Sequence, residues 1–556
     1  MMKNSSPFTP SRLVVALGAC AFAGISQAQI APDAGQTLQQ LQPPITLPRE
    51  SKPFVIEPPA ASGVVLPGGV AVALKSVSFS GNTVMSDATL LGVLGGAVGK
   101  TVDLAGLRAL SDRISDHYRG SGYPFARAVL PPQDLQEGQL RIDIIEGRYG
   151  QVQALSDVPA LSSQAKPFLQ RLEPGALIEA TALERASLIL ADLPGIETSL
   201  VMRPGTEVGS GDLDVNISRG PKFAGDVGLD NHGNRFTGEA RAHANLRINS
   251  PFLLGDQISV RTLISDEDLR LGSLDYSVPL GGSGLRSTVG YGYTRYVLGK
   301  EFASSQTNGT AKVASAGLSY PLIRSQKANL TVNALYQAKD LQDNRDLVNV
   351  QELKTSKTLP LLLQFDRRDE FGGGGIWYGS VGWTHGQLKL DAALTAADIN
   401  NTRGSFEKFN LEVVRLQSLP AGLTLMGRLS TQWANKNLDS SEKISLGGTN
   451  GVRAYPMGEA SGDEGALVQL EVRYTQGVYS PYVFLDAGNI KSNAKPVAGT
   501  TNNERSLSGA GFGLRYQRGD WSLDGALAWR GNGGAPQADT SSDPKPRAWV
   551  SAMWRF

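Results

Sequence analysis

The chain has 556 residues, a length that allows about two to four domains. Its 53 Lys and Arg residues balance 52 Asp and Glu residues, which argues against a nucleic-acid binder or a polybasic membrane anchor. The single cysteine, Cys20, lies within the first thirty residues.

Residues 1–28 have the pattern of a signal peptide. Lys3 and Arg12 are basic, residues 13–25 are apolar, and the sequence SQA at 26–28 predicts cleavage after Ala28. An alternative is a lipoprotein, because LGAC at 17–20 resembles a lipoprotein box, but its apolar core would be very short. Cleavage after Ala28 leaves an exported chain with no disulfide framework.

The next two segments lack the composition of a packed domain. Residues 29–44 contain a candidate amphipathic helix over 34–42. Residues 45–71 are rich in proline and predict an extended linker.

The order β-α-α-β-β occurs twice, and each copy predicts one α+β domain. The first copy covers residues 72–149 and the second covers residues 150–219. In the first domain a helix begins after Asp103, a plausible N-cap. Its apolar residues keep helical spacing: Leu104, Leu107, Leu110, Ile114 and Tyr118. A repeated order of elements is a stronger signal of organisation than either copy alone.

From residue 221 onward, helical periodicity gives way to alternation. In residues 239–249 (EARAHANLRIN) apolar and polar side chains fall on opposite faces, as in strands with lipid outside and water inside. Such strands must close into a barrel, because an open edge would leave backbone groups unpaired in the bilayer. At about 21 residues per strand and connection, residues 221–556 predict roughly 16 antiparallel strands. The predicted fold class is therefore a transmembrane β-barrel preceded by two periplasmic α+β domains.

The final ten residues, RAWVSAMWRF, form one more alternating strand. Trp554 and Phe556 share its apolar face, and the sequence ends on an aromatic residue. This pattern resembles the C-terminal assembly signal of outer-membrane barrels. The alternative is an ordinary last strand of a soluble sandwich.

A glycine-rich hairpin, residues 447–465, interrupts the strands between predicted barrel strands 11 and 12. Its centre reads Val452-Arg453-Ala454-Tyr455. This tetrapeptide is similar to the VRG[YF] tip of loop six in the superfamily of outer-membrane assembly and secretion barrels. Ala454 stands where that family has glycine, so we expect an ordinary φ angle at this position.

A second motif resembles the wall that holds this tip in the lumen. The family's F-x-D-x-G pattern is matched by Phe484, Asp486 and Gly488. An arginine in a shielded lumen needs a charged partner, and a carboxylate can form two parallel hydrogen bonds with it. We therefore predict that Arg453 pairs with Asp486. The alternative is a mobile extracellular loop with a solvated arginine.

Two further motifs specify the branch of the superfamily. GYPFARA at 122–128 with LRIDIIEG at 140–147 resembles the end of a POTRA domain. Asp230-Asn231 followed by Thr237-Gly238 resembles the first barrel strand of the two-partner-secretion branch. With the hairpin and its wall, these motifs make the chain similar to the TpsB family of transporters over its whole predicted exported length.

The resemblance implies a function and a set of partners. POTRA domains capture an unfolded partner exoprotein, of adhesin or haemolysin type, which crosses the outer membrane through the barrel. The resemblance also implies that the N-terminal helix of residues 29–44 plugs the pore at rest and leaves it when the cargo arrives. The partners expected are this cargo, outer-membrane lipid and the barrel-assembly machinery, with the transporter a monomer. A protein insertase of the same superfamily is the alternative, although insertases usually carry three or more POTRA domains. A porin would not need two repeated domains.

The sequence predicts no enzyme, cofactor or metal site. GxSxG, HExxH and CxxC motifs are absent, and the four histidines lack metal-ligand spacing. The four-glycine run 372–375 is not followed by lysine and serine, so it predicts a turn between strands rather than a phosphate loop. The adjacent carboxylates Asp463 and Glu464 are interpreted as solvated loop residues.

Overall fold

The computed structural model describes residues 31–43, 46–48 and 71–556. The predicted signal peptide and most of the predicted linker lie outside these residues. Helix α1 spans Ala34–Gln40 and is capped by the Asp33 carboxylate, which accepts a hydrogen bond from the Gln36 amide. None of the described helices is both long and apolar enough to cross a membrane.

The first α+β unit contains four short strands, two helices and one longer strand. Its elements are β1 (Val72–Ala73), β2 (Ser76–Ser80), α2 (Asp87–Val93), β3 (Thr101–Val102), α3 (Leu104–Gly120), β4 (Arg127–Val129) and β5 (Gln139–Ile145). The main sheet has the order β2-β5-β4, with β2 parallel to β5. Asp103 caps α3 as predicted, through a hydrogen bond from the Gly106 amide.

The apolar residues with helical spacing in α3 are buried except for the first. Leu107, Ile114 and Tyr118 are buried against the sheet, but Leu104 is 47% exposed. Leu104 lies in the first turn of the helix, at the edge of the apolar stripe.

The Tyr118 hydroxyl donates to the buried Glu146 carboxylate, and burial together with this anion raises the pKa of Tyr118 above its ordinary value.

The second α+β unit repeats the order of the first. Its elements are β6 (Arg148–Leu155), α4 (Pro159–Leu169), α5 (Ala180–Ala191), β7 (Ile196–Pro204) and β8 (Ser210–Arg219). The sheet order is β6-β8-β7, again with the first strand parallel to the central one. Each unit therefore has an edge strand, β2 or β6, beside its helices.

Sixteen antiparallel strands form a closed barrel. They are β9 (Phe223–Asp230), β10 (Arg241–Asn249), β11 (Gln257–Ser265), β12 (Arg270–Pro279), β13 (Arg286–Val297), β14 (Thr307–Arg324), β15 (Ala328–Arg345), β16 (Val350–Asp369), β17 (Gly375–Leu390), β18 (Gly404–Ser418), β19 (Leu423–Ala434), β22 (Glu464–Tyr474), β23 (Tyr479–Lys491), β24 (Glu504–Arg518), β25 (Trp521–Arg530) and β26 (Arg547–Arg555). A short helix, α6 (Ala392–Ala396), and the strand pair β20 (Ile444–Ser445) and β21 (Ser461–Gly462) lie in connections. The predicted fold class and strand number are confirmed.

The last strand closes the barrel against the first. The backbone amide of Phe556 donates to the Gly225 carbonyl at 3.1 Å, and the Gly225 amide donates back to Phe556 at 3.0 Å. Val550, Trp554 and Phe556 are exposed on the outer face, where lipid would cover them. The role of Trp554 and Phe556 as an assembly signal stays a prediction.

The second α+β unit packs against one rim of the barrel. We call this the near rim, where β9 begins and β26 ends, and the opposite one the far rim. Leu254, in the near-rim turn between β10 and β11, is 3% exposed and belongs to the hydrophobic core of the second unit. Arg324 at the end of β14 forms two hydrogen bonds, of 2.6 and 2.7 Å, with the Asp192 carboxylate. Apolar burial and a bidentate ion pair thus hold the unit over the barrel opening.

Replacing Leu254 should loosen this junction. Leu254→Ala removes a buried side chain and should destabilise the docked unit by about 2–5 kcal/mol. The expected result is faster hydrogen exchange in α4 and α5, measured by mass spectrometry on the full chain. Leu253→Ala is the matched control, because Leu253 is 49% exposed; equal effects of the two variants would contradict the prediction.

Candidate functional site: an arginine lock in the barrel lumen

The segment between β19 and β22, residues 435–463, folds back into the barrel. Strands β20 and β21 pair at its base. At its tip Val452, Ala454 and Tyr455 are buried. They pack with inward-facing wall residues, whereas Val483 and Leu485 of β23 are exposed on the outside. The alternative of a mobile loop with a solvated arginine is therefore wrong.

Arg453 is held by two carboxylates of the barrel wall. Its Nε and Nη2 atoms donate to Oδ2 and Oδ1 of Asp486 at 2.9 and 2.8 Å, the parallel pair expected from the sequence. Its Nη1 atom donates to Glu471 at 3.1 Å, and its backbone amide donates to Asp486 at 3.0 Å. Because Arg453 is only 7% exposed, these contacts replace the water that its charge would otherwise bind.

Phe484 and Gly488 support this pair from the same strand. The Arg453 guanidinium carbon lies 3.5 Å from the centroid of the Phe484 ring, a cation–π contact. A Cβ atom at Gly488 would lie 2.8 Å from the Leu446 side chain, so glycine lets the base of the hairpin approach the wall. Phe484 and Asp486 thus contact Arg453 directly, and Gly488 makes room for the base of the hairpin. We call the pair of Arg453 and Asp486 the lock.

Sequence reasoning missed Glu471, which is the centre of a larger charge network. It accepts hydrogen bonds from Arg473 at 2.8 Å and from Arg515 at 2.7 Å, as well as from Arg453. Arg515 in turn binds Asp524 at 2.6 Å. The alternate positions of Gln469, Glu471 and Arg473 in β22 place them on one face, but this pattern does not show which distant loop they meet.

The structure accounts for alanine at the tip of the hairpin. Ala454 lies outside the positive-φ region, as expected. Its methyl group faces Gly509 of β24, where an added Cβ would lie 2.6 Å from the Ala454 Cβ. The Tyr455 hydroxyl, one residue later, donates to the Asn532 carbonyl at 2.9 Å.

The interpretation of Asp463 as a solvated loop residue is wrong. This carboxylate is fully buried rather than solvated. It lies 2.9 Å from the Lys443 ammonium group and accepts hydrogen bonds from the Leu438 and Ala494 amides. It fixes the base of the hairpin to the neighbouring far-rim connections.

The described residues hold no group of three or more His, Cys, Asp or Glu side chains suited to a metal ion.

Helix α1 lies across the lumen beside the hairpin. The Asp33 carboxylate accepts from Lys354 of β16 at 2.8 Å and from Ser440 of the hairpin segment at 2.7 Å. At the other end of the helix, Arg261 of β11 donates to the Leu41 carbonyl at 2.9 Å. Burial favours the neutral acid, but the Lys354 cation and these hydrogen bonds hold the pKa of Asp33 below its ordinary value. The described N-terminal segment therefore reaches from β16 to β11 inside the barrel.

Removing either partner of the lock should destabilise the barrel strongly. Arg453→Ala and Asp486→Ala each leave a buried charge without its main partner, which typically costs about 3–5 kcal/mol. The double variant should lose far less than the sum of the two, because both changes break the same pair. Urea unfolding of the detergent-solubilised chains measures these losses, and additive losses would contradict a direct pair.

Gly509 should tolerate no side chain while Ala454 is present. Gly509→Ala should lower the folded fraction, because two methyl carbons would lie 2.6 Å apart. Adding Ala454→Gly to the same chain should restore folding, measured by the gel mobility shift of unheated barrel. If Ala454→Gly does not restore the folded fraction, the contact between positions 454 and 509 is not the cause of the folding defect.

The chain is similar to known proteins over most of its length. Residues 209–516 match the family model described as haemolysin secretion/activation protein ShlB/FhaC/HecB, and residues 72–147 match the POTRA domain of ShlB type. The heme/hemopexin transporter protein HuxB of Haemophilus influenzae (strain 86-028NP) is 29% identical, with 84% of this chain and 83% of that protein aligned. The outer membrane transporter CdiB of Dickeya dadantii is 22% identical, with 73% of each chain covered.

Solved structures share the fold. CdiB from Escherichia coli superposes with a TM-score of 0.73 at 21% identity, covering 91% of this chain and 94% of that one. BamA from Haemophilus ducreyi lacking POTRA domains 1–3 gives 0.51 at 14% identity, covering 88% of this chain and all of that one. Because the ShlB/FhaC/HecB model matches more than half of the sequence, this chain belongs to the family of haemolysin secretion/activation proteins.

Proposed function

We propose that this transporter exports one unfolded partner exoprotein, of adhesin or haemolysin type, and that the hairpin and α1 close its pore at rest. The chain is an outer-membrane transporter of two-partner secretion, with its POTRA domains in the periplasm. The near rim therefore faces the periplasm and the far rim the cell exterior. The observation that carries the proposal is the filled lumen, in which a helix and a hairpin are each held to the wall by an ion pair and by apolar packing.

The first step is capture in the periplasm. Strands β2 and β6 lie at sheet edges, and an edge strand can add an extended peptide through backbone hydrogen bonds. Beside β6, a groove runs along α4 and is lined by Val152, Ala154, Leu169 and Leu172. Backbone pairing with shallow apolar contacts suits a cargo whose sequence varies along its length.

The second step is release of the N-terminal segment from the lumen. Pro43, Thr46 and Pro48 border a cavity whose wall includes Gln364 and Asp366 of β16. These three residues thus lie beside the barrel wall, in space that an extended cargo would need. Besides the Asp33 contacts, Ala34 and Leu41 of this segment pack in an apolar cluster of the barrel wall, so the cargo has to replace both polar and apolar contacts to displace the helix.

The third step is movement of the hairpin away from the pore axis. Its tip is held by the Arg453 lock, so the closed state is well defined while the lock is engaged. No nucleotide is needed in this scheme, since folding of the cargo outside the cell biases transport outward. Cargo that is prevented from folding should therefore cross more slowly.

Secretion by cells tests the proposal. Medium levels of the candidate exoprotein are compared for the intact transporter, a deletion and Arg453→Ala, with outer-membrane insertion of the variant checked by fractionation. We expect secretion to fall to the level of the deletion, because Arg453→Ala removes the contacts that define the closed state from which transport starts. Arg518→Ala is the control, since Arg518 is exposed at the near-rim end of β24.

Two outcomes would count against the proposal. Normal secretion by Arg453→Ala would remove the lock from the mechanism. Persistent secretion with defective assembly of other outer-membrane proteins would instead indicate an insertase.

A further inference from the structure

The tip of the hairpin is bound on two sides. On one side the Arg453 guanidinium pairs with Asp486 of β23. On the other side the Trp549 indole N–H of β26 donates to the backbone carbonyl of Arg453 at 2.7 Å, in a buried position. The His232 ring meets Trp549 edge-on at 5.8 Å and limits the rotation of the indole. One residue of the hairpin therefore joins the wall to the strand that closes the barrel.

Two further residues of the hairpin hold the connection between β25 and β26. The Tyr455 hydroxyl donates to the carbonyls of Asn532 and Gly534 at 2.9 and 3.1 Å. The fully buried Glu459 carboxylate accepts from the amides of Gln537 and Ala538 at 2.8 and 2.7 Å. Its charge is matched by Arg505, whose Nη1 lies 2.5 Å away.

Apolar contacts also connect the hairpin to β25 and β26. Val452 and Ala454 belong to one buried cluster with inward-facing Ala526 and Ala528 of β25 and with Trp549 of β26. The small alanines of β25 leave room for the tip. The hairpin thus contacts both strands of the last β-hairpin of the barrel and the loop between them.

The seam that this last hairpin forms with β9 is short. Its paired register runs from Ser551 opposite Asp230 to Arg555 opposite Asp226. Backbone hydrogen bonds extend it by one position at each end, between Asn231 and Val550 and between Gly225 and Phe556. By contrast, β15 and β16 are in register from Ala328 opposite Arg367 to Arg345 opposite Val350, over almost their whole lengths. A seam with few ladder hydrogen bonds depends more on contacts from other parts of the molecule.

We propose that residues 452–459 brace the closing strands, and that Trp549 is a positioning residue that couples the Arg453 lock to the β26–β9 seam. When the lock is engaged, the tip holds β26 in place from inside the barrel. When the tip leaves, the seam loses its inner support. The coupling is reciprocal, so a fixed seam also stabilises the closed position of the hairpin.

Hydrogen exchange of the full chain in detergent micelles, followed by mass spectrometry, tests this brace. Trp549→Phe keeps the ring but removes the N–H donor. We expect exchange at residues 226–230 and 551–555 to become faster by about tenfold, the effect of one lost buried hydrogen bond, with no change in β15 and β16. Tyr378→Phe is the matched control, since Tyr378 is a buried aromatic residue of the wall far from the seam.

A second variant keeps the test decisive if Trp549→Phe does not assemble. Glu459→Gln removes the charge that holds the loop before β26 and should accelerate exchange at the same seam residues. Conversely, Leu229→Cys with Ala552→Cys, which face each other in register, should slow exchange in residues 446–460 once oxidised. Unchanged seam exchange in the Glu459 variant, or unchanged hairpin exchange in the oxidised pair, would overturn the brace.

Discussion

The arrangement of the lumen follows from the need to neutralise one buried cation. Arg453 sits at the end of a hairpin that crosses a shielded space, where an unpaired charge would be strongly destabilising. Asp486 and Glu471 must therefore both face inward. Their strands satisfy this in register, with Gln469 opposite Asp486 and Glu471 opposite Phe484. A slip of one residue would turn these side chains toward lipid, so the lock also fixes the pairing of β22 with β23.

The lock is part of a balanced network and not an isolated pair. Three guanidinium groups, those of Arg453, Arg473 and Arg515, converge on Glu471. Asp486 and Asp524 supply the remaining negative charge on the same side of the barrel. Such networks stabilise a specific geometry, because Arg453, Arg515 and Glu471 are each held by more than one partner.

The sequence was sufficient to predict the architecture of the chain and one contact of the site, the pairing of Arg453 with Asp486. Period-two alternation predicts the barrel, and its length predicts the strand number, because both depend on local repeats. The pairing of Arg453 with Asp486 was accessible through two short motifs. Glu471 and Trp549 were not, because a charged or aromatic residue on an alternating strand does not show which distant loop it meets.

The errors have related physical causes. Asp463 was interpreted as a solvated loop residue because loops are usually at the surface, whereas this connection folds back into the protein. Alanine at position 454 was a departure from a family pattern until the structure placed it against Gly509. In each case the missing information was the identity of a neighbour distant in sequence.

The contact of Leu254 with the second POTRA-like unit bears on how such transporters can be recombined. The side chain comes from the barrel, but it completes the hydrophobic core of the preceding unit. Ser250 of the same turn donates to the Pro194 carbonyl at 2.6 Å. A chimera joined near residue 220 would therefore separate a domain from part of its own interior. Exchange of receptor modules between transporters has to carry the turn at 250–256 along with the module it completes.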